Sequence, residues 1–136
     1  MLHALRLLTA LWFGGTTVVA FGVVPFLFIS LGNPAVAGPV AAQLFTAIAF
    51  ASWAAALVGL LMSRRTLCVR PLLGWLLLAA LCAVVQEWVV AEQILNARVL
   101  GADVKPWHRA GTVLVGLQWL VALRVYWFGH HRRAQP

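Results

Sequence analysis

Glu87 and Glu92 fall near the end of a long apolar run, residues 72–94. It is one of four such runs, which together fill most of the chain. An ionisable group at mid-bilayer costs roughly 2.5–3.5 kcal/mol on insertion scales, so it needs a partner, a neutralising proton or a role. Depth follows from about 1.5 Å per helical residue. By that rise Glu87 lies about 10 Å in from the outer end of its run, level with Thr46 of the second run. Gln43 lies nearer the level of Glu92. His108 and Arg109 open the fourth run, and Gln118 is near its middle. These residues form one candidate polar or ion-binding cluster, together with Gln86. Two chemistries are open to it. Glu87 could accept a proton or bind a cation in an outward-facing cavity, or it could clasp Gln118 or Arg109 on the neighbouring helix. Glu92 is shallower, within reach of headgroups and of Arg98 or Lys105. Glu87 and Glu92 point about 140° apart on a regular helix and do not share a face.

The elements that carry these residues are membrane spans. The chain has 136 residues, 63% hydrophobic and 10% charged, far from the balance of a soluble domain. The reading is an all-α, four-helix transmembrane bundle, up-and-down, in one domain over residues 1–136. About 20 apolar residues cross a bilayer. The spans are read at about 7–31, 40–62, 72–94 and 107–128. Asn33 and Pro34 end the first, which Pro25 bends. Ser63, Arg64 and Arg65 stop the second, Pro71 starts the third and Pro106 the fourth. Trp107 and Trp127 are about 30 Å apart on a helix, matching two interfacial aromatic belts. The apolar character of the start runs on to Leu31, longer than the roughly 7–15 residues of a signal peptide core, so a retained first span is expected.

The formal net charge of +7 is not a nucleic-acid signal, because the basic residues cluster at span ends. Arg6, Arg64, Arg65, Arg70, Arg124, Arg132 and Arg133 collect on one side, and Arg98, Lys105 and Arg109 on the other. The richer side is read as cytoplasmic, which puts both termini there, in a multi-pass protein of the cell inner membrane. Lipid gives helices no hydrophobic drive to associate, so small residues mark contacts. Ala47, Ala51, Ala55 and Gly59 form a ridge at intervals of four on the second span. Gly14 and Gly15 on the first and Gly111 on the fourth are further packing candidates. The ridge suits packing within the bundle or a homo-oligomer face.

Cys68 and Cys82 are too far apart for a Cys-x-x-Cys pair and read as free thiols. No spacing matches a zinc site or a nucleophile triad, so no catalytic residue and no metal site is assigned. Histidine raises the question of haem. His3 and His108 are single-ligand candidates only, since one membrane thickness separates them. His130 and His131 beside Arg132 and Arg133 read as a solvated basic tail.

The stretch LTALWFGGTTVVAFGVVPFLFISL (residues 8–31) resembles the first span of the transmembrane protein 205-like family. AVAGPVAAQLFTAIAFASWAAALVGLLM resembles its second span, and VVQEWVVAEQILNAR with WHRAGTVLVGLQW its third and fourth. The resemblance covers nearly the whole chain. Its most specific pieces are Trp12 with Gly14, Pro25 with Phe28, and Trp107-His108 with Gly111, Gln118 and Trp119. It implies a four-helix bacterial inner-membrane protein and no particular substrate. Where that family often has Pro-Arg, this chain has Ala91-Glu92, a reversal of charge that implies a compensating partner such as Arg109 or Lys105. His3, Trp12, Gly14 and Gly15 also resemble the first span of four-helix haem-binding and copper-resistance membrane proteins, over that span alone.

Three functions are therefore expected in competition. The first is a non-catalytic binding, scaffold or accessory bundle in a homo-oligomer or larger membrane complex, without cofactor. The second is a small oligomeric ion or solute carrier using Glu87. The third is a haem-binding membrane protein using His3 or His108.

Overall fold

The computed structural model describes the backbone of residues 2–65 and 67–131 and the side chains of residues 7–62 and 70–128. Among these residues every element is helical. Four stretches are long and apolar enough to cross a membrane: Leu7–Leu31, Pro34–Met62, Arg70–Val99 and Lys105–Phe128. They are called spans one to four below.

Span one comprises α1 (Leu2–Thr17), a π-helical turn (Val18–Val23) and α2 (Val24–Leu31). Pro25 offers no N–H to the preceding turn. The helix widens just before it, where the Val24 N–H reaches back to the Val19 carbonyl. Gly32, with φ of 58°, closes the span in the left-handed conformation that glycine tolerates best.

Span two lies on α3 (Pro34–Arg65), which starts six residues earlier than the expected position 40. Asn33 supplies the reason. Its Oδ1 accepts the Ala35 N–H at 2.9 Å, and its carbonyl accepts those of Val36 and Ala37. A capping side chain followed by proline at the first helical position favours a helix start. The same two residues that end span one therefore begin span two.

Span three follows a 3-10 turn (Leu67–Leu72) that contains Pro71, so this proline precedes the α-helix instead of opening it. It consists of α4 (Leu73–Val85), a second π-helical turn (Gln86–Val90) and α5 (Ala91–Val99). The helix runs five residues beyond the expected end at 94. It closes on a left-handed Gly101 with Gly101 N–H to Arg98 and Ala102 N–H to Ala97, the paired bonds of a Schellman motif. Asp103 Oδ1 then caps α6 (Lys105–His131) through the Lys105 N–H at 2.9 Å.

Each span touches the next, and span one also packs on span four. Consecutive spans run in opposite senses: Gly59 meets Leu76, Trp53 meets Trp88 and Thr46 meets Glu87. One end of the bundle, called the termini end, carries the start of α1, the end of α6 and the turn at 67–72. The other carries the loops at Gly32 and Gly101, and is called the loop end. The termini end holds an apolar core of Trp12, Ala55, Ala56, Leu72, Leu76, Ala79, Val121, Ala122 and Val125.

The small-residue ridge holds over half its length. Ala55 and Gly59 are buried, and a Cβ on Gly59 would overlap Leu76 Cδ1. Ala47 and Ala51 are exposed instead. Steps of four on a helix of 3.6 residues per turn drift about 40° each, so the ridge leaves the contact face. Gly14 and Gly15 likewise mark no close contact, since a Cβ on either would have nothing within 4 Å. Aromatic rings fill that seam. Phe13 stacks on Tyr126 with centroids 5.5 Å apart, and Phe21 meets Trp119 edge-on at 5.5 Å.

Candidate functional site

A hydrogen-bonded relay crosses the interior and ties all four spans. Trp12 Nε1 donates to Ser52 Oγ at 3.2 Å. Ser52 Oγ donates to Gln118 Oε1 at 2.7 Å, and Gln118 Nε2 donates to Gln86 Oε1 at 3.0 Å. All four residues are buried, Ser52 and Gln118 completely. Every bond points the same way, from span one towards span three. A buried polar group without a partner costs about 1–3 kcal/mol, so these residues hold one another in place. Aligned bonds also polarise one another, which strengthens the donor at the far end.

That far end is Gln86. Its amide oxygen is taken by Gln118, and its side chain lines a cavity of about 460 Å³ at the loop end of the bundle. This volume lies within the range of small-molecule sites, about 300–1,000 Å³. Gln86 and Glu87 both fall in the second π-helical turn. Such turns recur at functional sites because they re-aim side chains within a continuous helix. Here the turn puts Gln86 in the core and Glu87, half-buried, on the cavity wall. Thr46 Oγ1 donates to Glu87 Oε1 at 3.1 Å and lines the same cavity.

The wall between is apolar. Phe28 of span one, Ala41 and Phe45 of span two, Val90 and Ile94 of span three, and Val115 of span four contribute to it. At the loop end Arg98 and His108 form a polar rim, both exposed. A Cβ on Gly38 would come within 3.2 Å of Arg98 Nη2, so glycine there gives the guanidinium room. The site is an apolar chamber with one carboxylate and one amide at its deep end and two basic side chains at its rim.

The structure brings together part of the expected cluster. Glu87, Thr46, Gln43 and His108 line the cavity, as does Gly111, whose Cβ would contact Val90 Cγ1 at 3.5 Å. Gln118 does not meet Glu87. It faces Ser52 and Gln86, so the expected clasp from Glu87 to Gln118 is replaced by the contact with Thr46. Arg109 and Glu92 are exposed and do not line the chamber, because they face away from the bundle axis. The side chains of His3, Arg6, Arg64, Arg65, Cys68, His130, His131, Arg132 and Arg133 lie outside the described residues. Among those described, no three His, Cys, Asp or Glu residues gather.

Ser52 is a site residue that the sequence did not single out, and Trp12 and Arg98 join the site in roles other than those expected of them. Ser52 had a signal: it is a hydroxyl near the middle of an apolar run, and such a group requires a partner in lipid. Trp12 carries an indole N–H that likewise requires an acceptor when buried.

Comparison with protein families gives one finding. The model of a family described as a domain of unknown function, DUF4149, matches residues 7–103, which covers the first three spans. The match provides no link to the transmembrane protein 205-like family. No curated protein and no solved structure matches the chain.

Proposed function

The chain belongs to the DUF4149 family, a domain of unknown function, and from the geometry of its interior we propose that it is a non-catalytic membrane bundle that binds a small, largely apolar ligand between its spans. One observation carries this reading: the chamber of about 460 Å³ whose apolar walls converge on Glu87, Thr46 and Gln86. Apolar cavities with a few placed polar groups are the usual form of ligand sites. The relay supports the reading as well, since it holds the Gln86 amide oxygen through Gln118, itself held by Ser52, and so pre-orders the polar end.

The surroundings are part of the proposal. The arginine count of the sequence favours an inner membrane with both termini cytoplasmic, which makes the chamber open outward. An accessory role in a homo-oligomer or larger membrane complex fits a bundle of this size. The residue likeness to the transmembrane protein 205-like family agrees with the same architecture. No cofactor is required by this reading. A carrier is the second reading, favoured by the placement of Glu87 inside a chamber instead of against lipid.

The test is photolabelling in proteoliposomes with the neutral probe 3-trifluoromethyl-3-phenyldiazirine. Val90 is buried on the chamber wall and its neighbour Val89 is exposed outward. Saturable label at Val90, lost in Ala42→Trp, is expected. Label confined to Val89 and other outward residues would refute the binding role.

A further inference from the structure

The deep end of the chamber is chemically one-sided. Glu87 Oε1 already receives the Thr46 hydroxyl, and the second carboxylate oxygen takes no bond from any described residue. A carboxylate in a low-dielectric pocket gains most from an opposite charge brought into contact with it. Among the described residues no basic side chain does this. Arg98 lies eleven residues further along the same span, about 16 Å at 1.5 Å per residue. The two form no ion pair, and Arg98 is exposed. An anionic ligand reaching the deep end would meet Glu87 as a like charge. A neutral one would leave the carboxylate uncompensated.

The walls add a second requirement. Phe28 and Phe45 line the chamber with Val90, Ile94 and Val115. Aliphatic and aromatic surface of this kind receives an apolar body, and ring faces also attract cations. Beside Glu87, the Gln86 amide nitrogen is the unspent donor of the relay. The polar end thus offers an anion first and a neutral donor second, under an apolar roof.

Resting on the ligand-binding reading above, we propose that the ligand is a lipophilic amine, with its ammonium against Glu87 and its apolar body along Phe45, Val90 and Ile94. The ammonium donates to the free carboxylate oxygen, and a ligand oxygen near the nitrogen accepts from Gln86. Arg98 stays at the rim, where it disfavours a second positive group at the far end of the ligand. The preferred class therefore carries a single cation.

Three probes of one skeleton separate the cases: 4-phenylbutylamine, 4-phenylbutanol and 4-phenylbutyrate, titrated by calorimetry against the protein in lipid nanodiscs, with empty nanodiscs subtracted. The amine should bind about tenfold or more tighter than the alcohol, the increment of one charge-assisted bond. Glu87→Gln should bring the amine to the level of the alcohol and leave the alcohol unchanged. If that variant does not assemble, Glu87→Asp serves in its place and should keep the preference for the amine. Equal binding of amine and alcohol, or tighter binding of the carboxylate, overturns the ligand class and leaves the chamber as a binding site. Binding by none of the three overturns both.

Discussion

The Gln118 amide nitrogen donates to the Gln86 amide oxygen across 3.0 Å in the buried interior, joining span four to span three. Gln118 also accepts from Ser52, so one side chain satisfies groups on two other spans. Replacing it with leucine would leave the Ser52 hydroxyl and the Gln86 carbonyl without their partner. A single interhelical hydrogen bond in a membrane averages about 0.6 kcal/mol in measured cases. Gln118→Leu should cost more, about 1–3 kcal/mol, because two buried groups are orphaned at once. Reversible unfolding in mixed micelles measures this, and an unchanged midpoint would show that the relay is incidental.

Trp12 stands at the other end of the relay and gives a graded control. Replacing Trp12 with the non-natural residue 3-benzothienylalanine keeps the bicyclic ring and removes only the N–H that reaches Ser52. Ser52 still has its bond to Gln118. The loss should be under about 1 kcal/mol, a single neutral hydrogen bond. An effect of this replacement larger than that of Gln118→Leu contradicts the placement of Trp12 at the end of the relay and Gln118 in its middle.

Gly59 and Gly15 should answer the same substitution differently. Gly59→Ala puts a methyl into Leu76, and overpacking of this kind costs about 1–3 kcal/mol. Leu76→Ala should relieve it in the double variant, which a non-additive cycle would detect. Gly15→Ala meets open space and should be neutral or slightly stabilising, since alanine is the better helix former. Equal destabilisation at both sites would mean that span one packs more tightly than its aromatic seam allows.

The spans were legible in the sequence because hydrophobic length and capping residues report locally. Asn33, Pro34 and Asp103 act on their own turns. Depth was legible too: a constant rise per residue put Thr46 level with Glu87, and the two meet. Rotation about each helix axis was not. Span three is apolar nearly all round, so hydropathy does not say which side faces inward. Its π-helical turn at Gln86–Val90 also changes the phase of every later residue. This is why Gln118 was set against Glu87 when it faces Ser52 and Gln86. The ridge from Ala47 to Gly59 meets the bundle only at Ala55 and Gly59 for a related reason, since a strict interval of four does not stay on one face. Ser52 was readable only from its need for a partner, and a need does not name the partner.

The proposed ligand binding requires Glu87 to face a chamber inside the bundle and not the surrounding lipid. Cysteine accessibility tests that directly. In a protein whose Cys68 and Cys82 are replaced by serine, Glu87→Cys and Trp88→Cys differ by one position; Trp88 is exposed on the outside of the bundle and stacks on Trp53. A water-soluble methanethiosulfonate ethylammonium reagent applied to proteoliposomes should modify position 87 and spare position 88. Modification of both positions at the same rate, or of 88 alone, would contradict the placement of the carboxylate on which the proposed function rests.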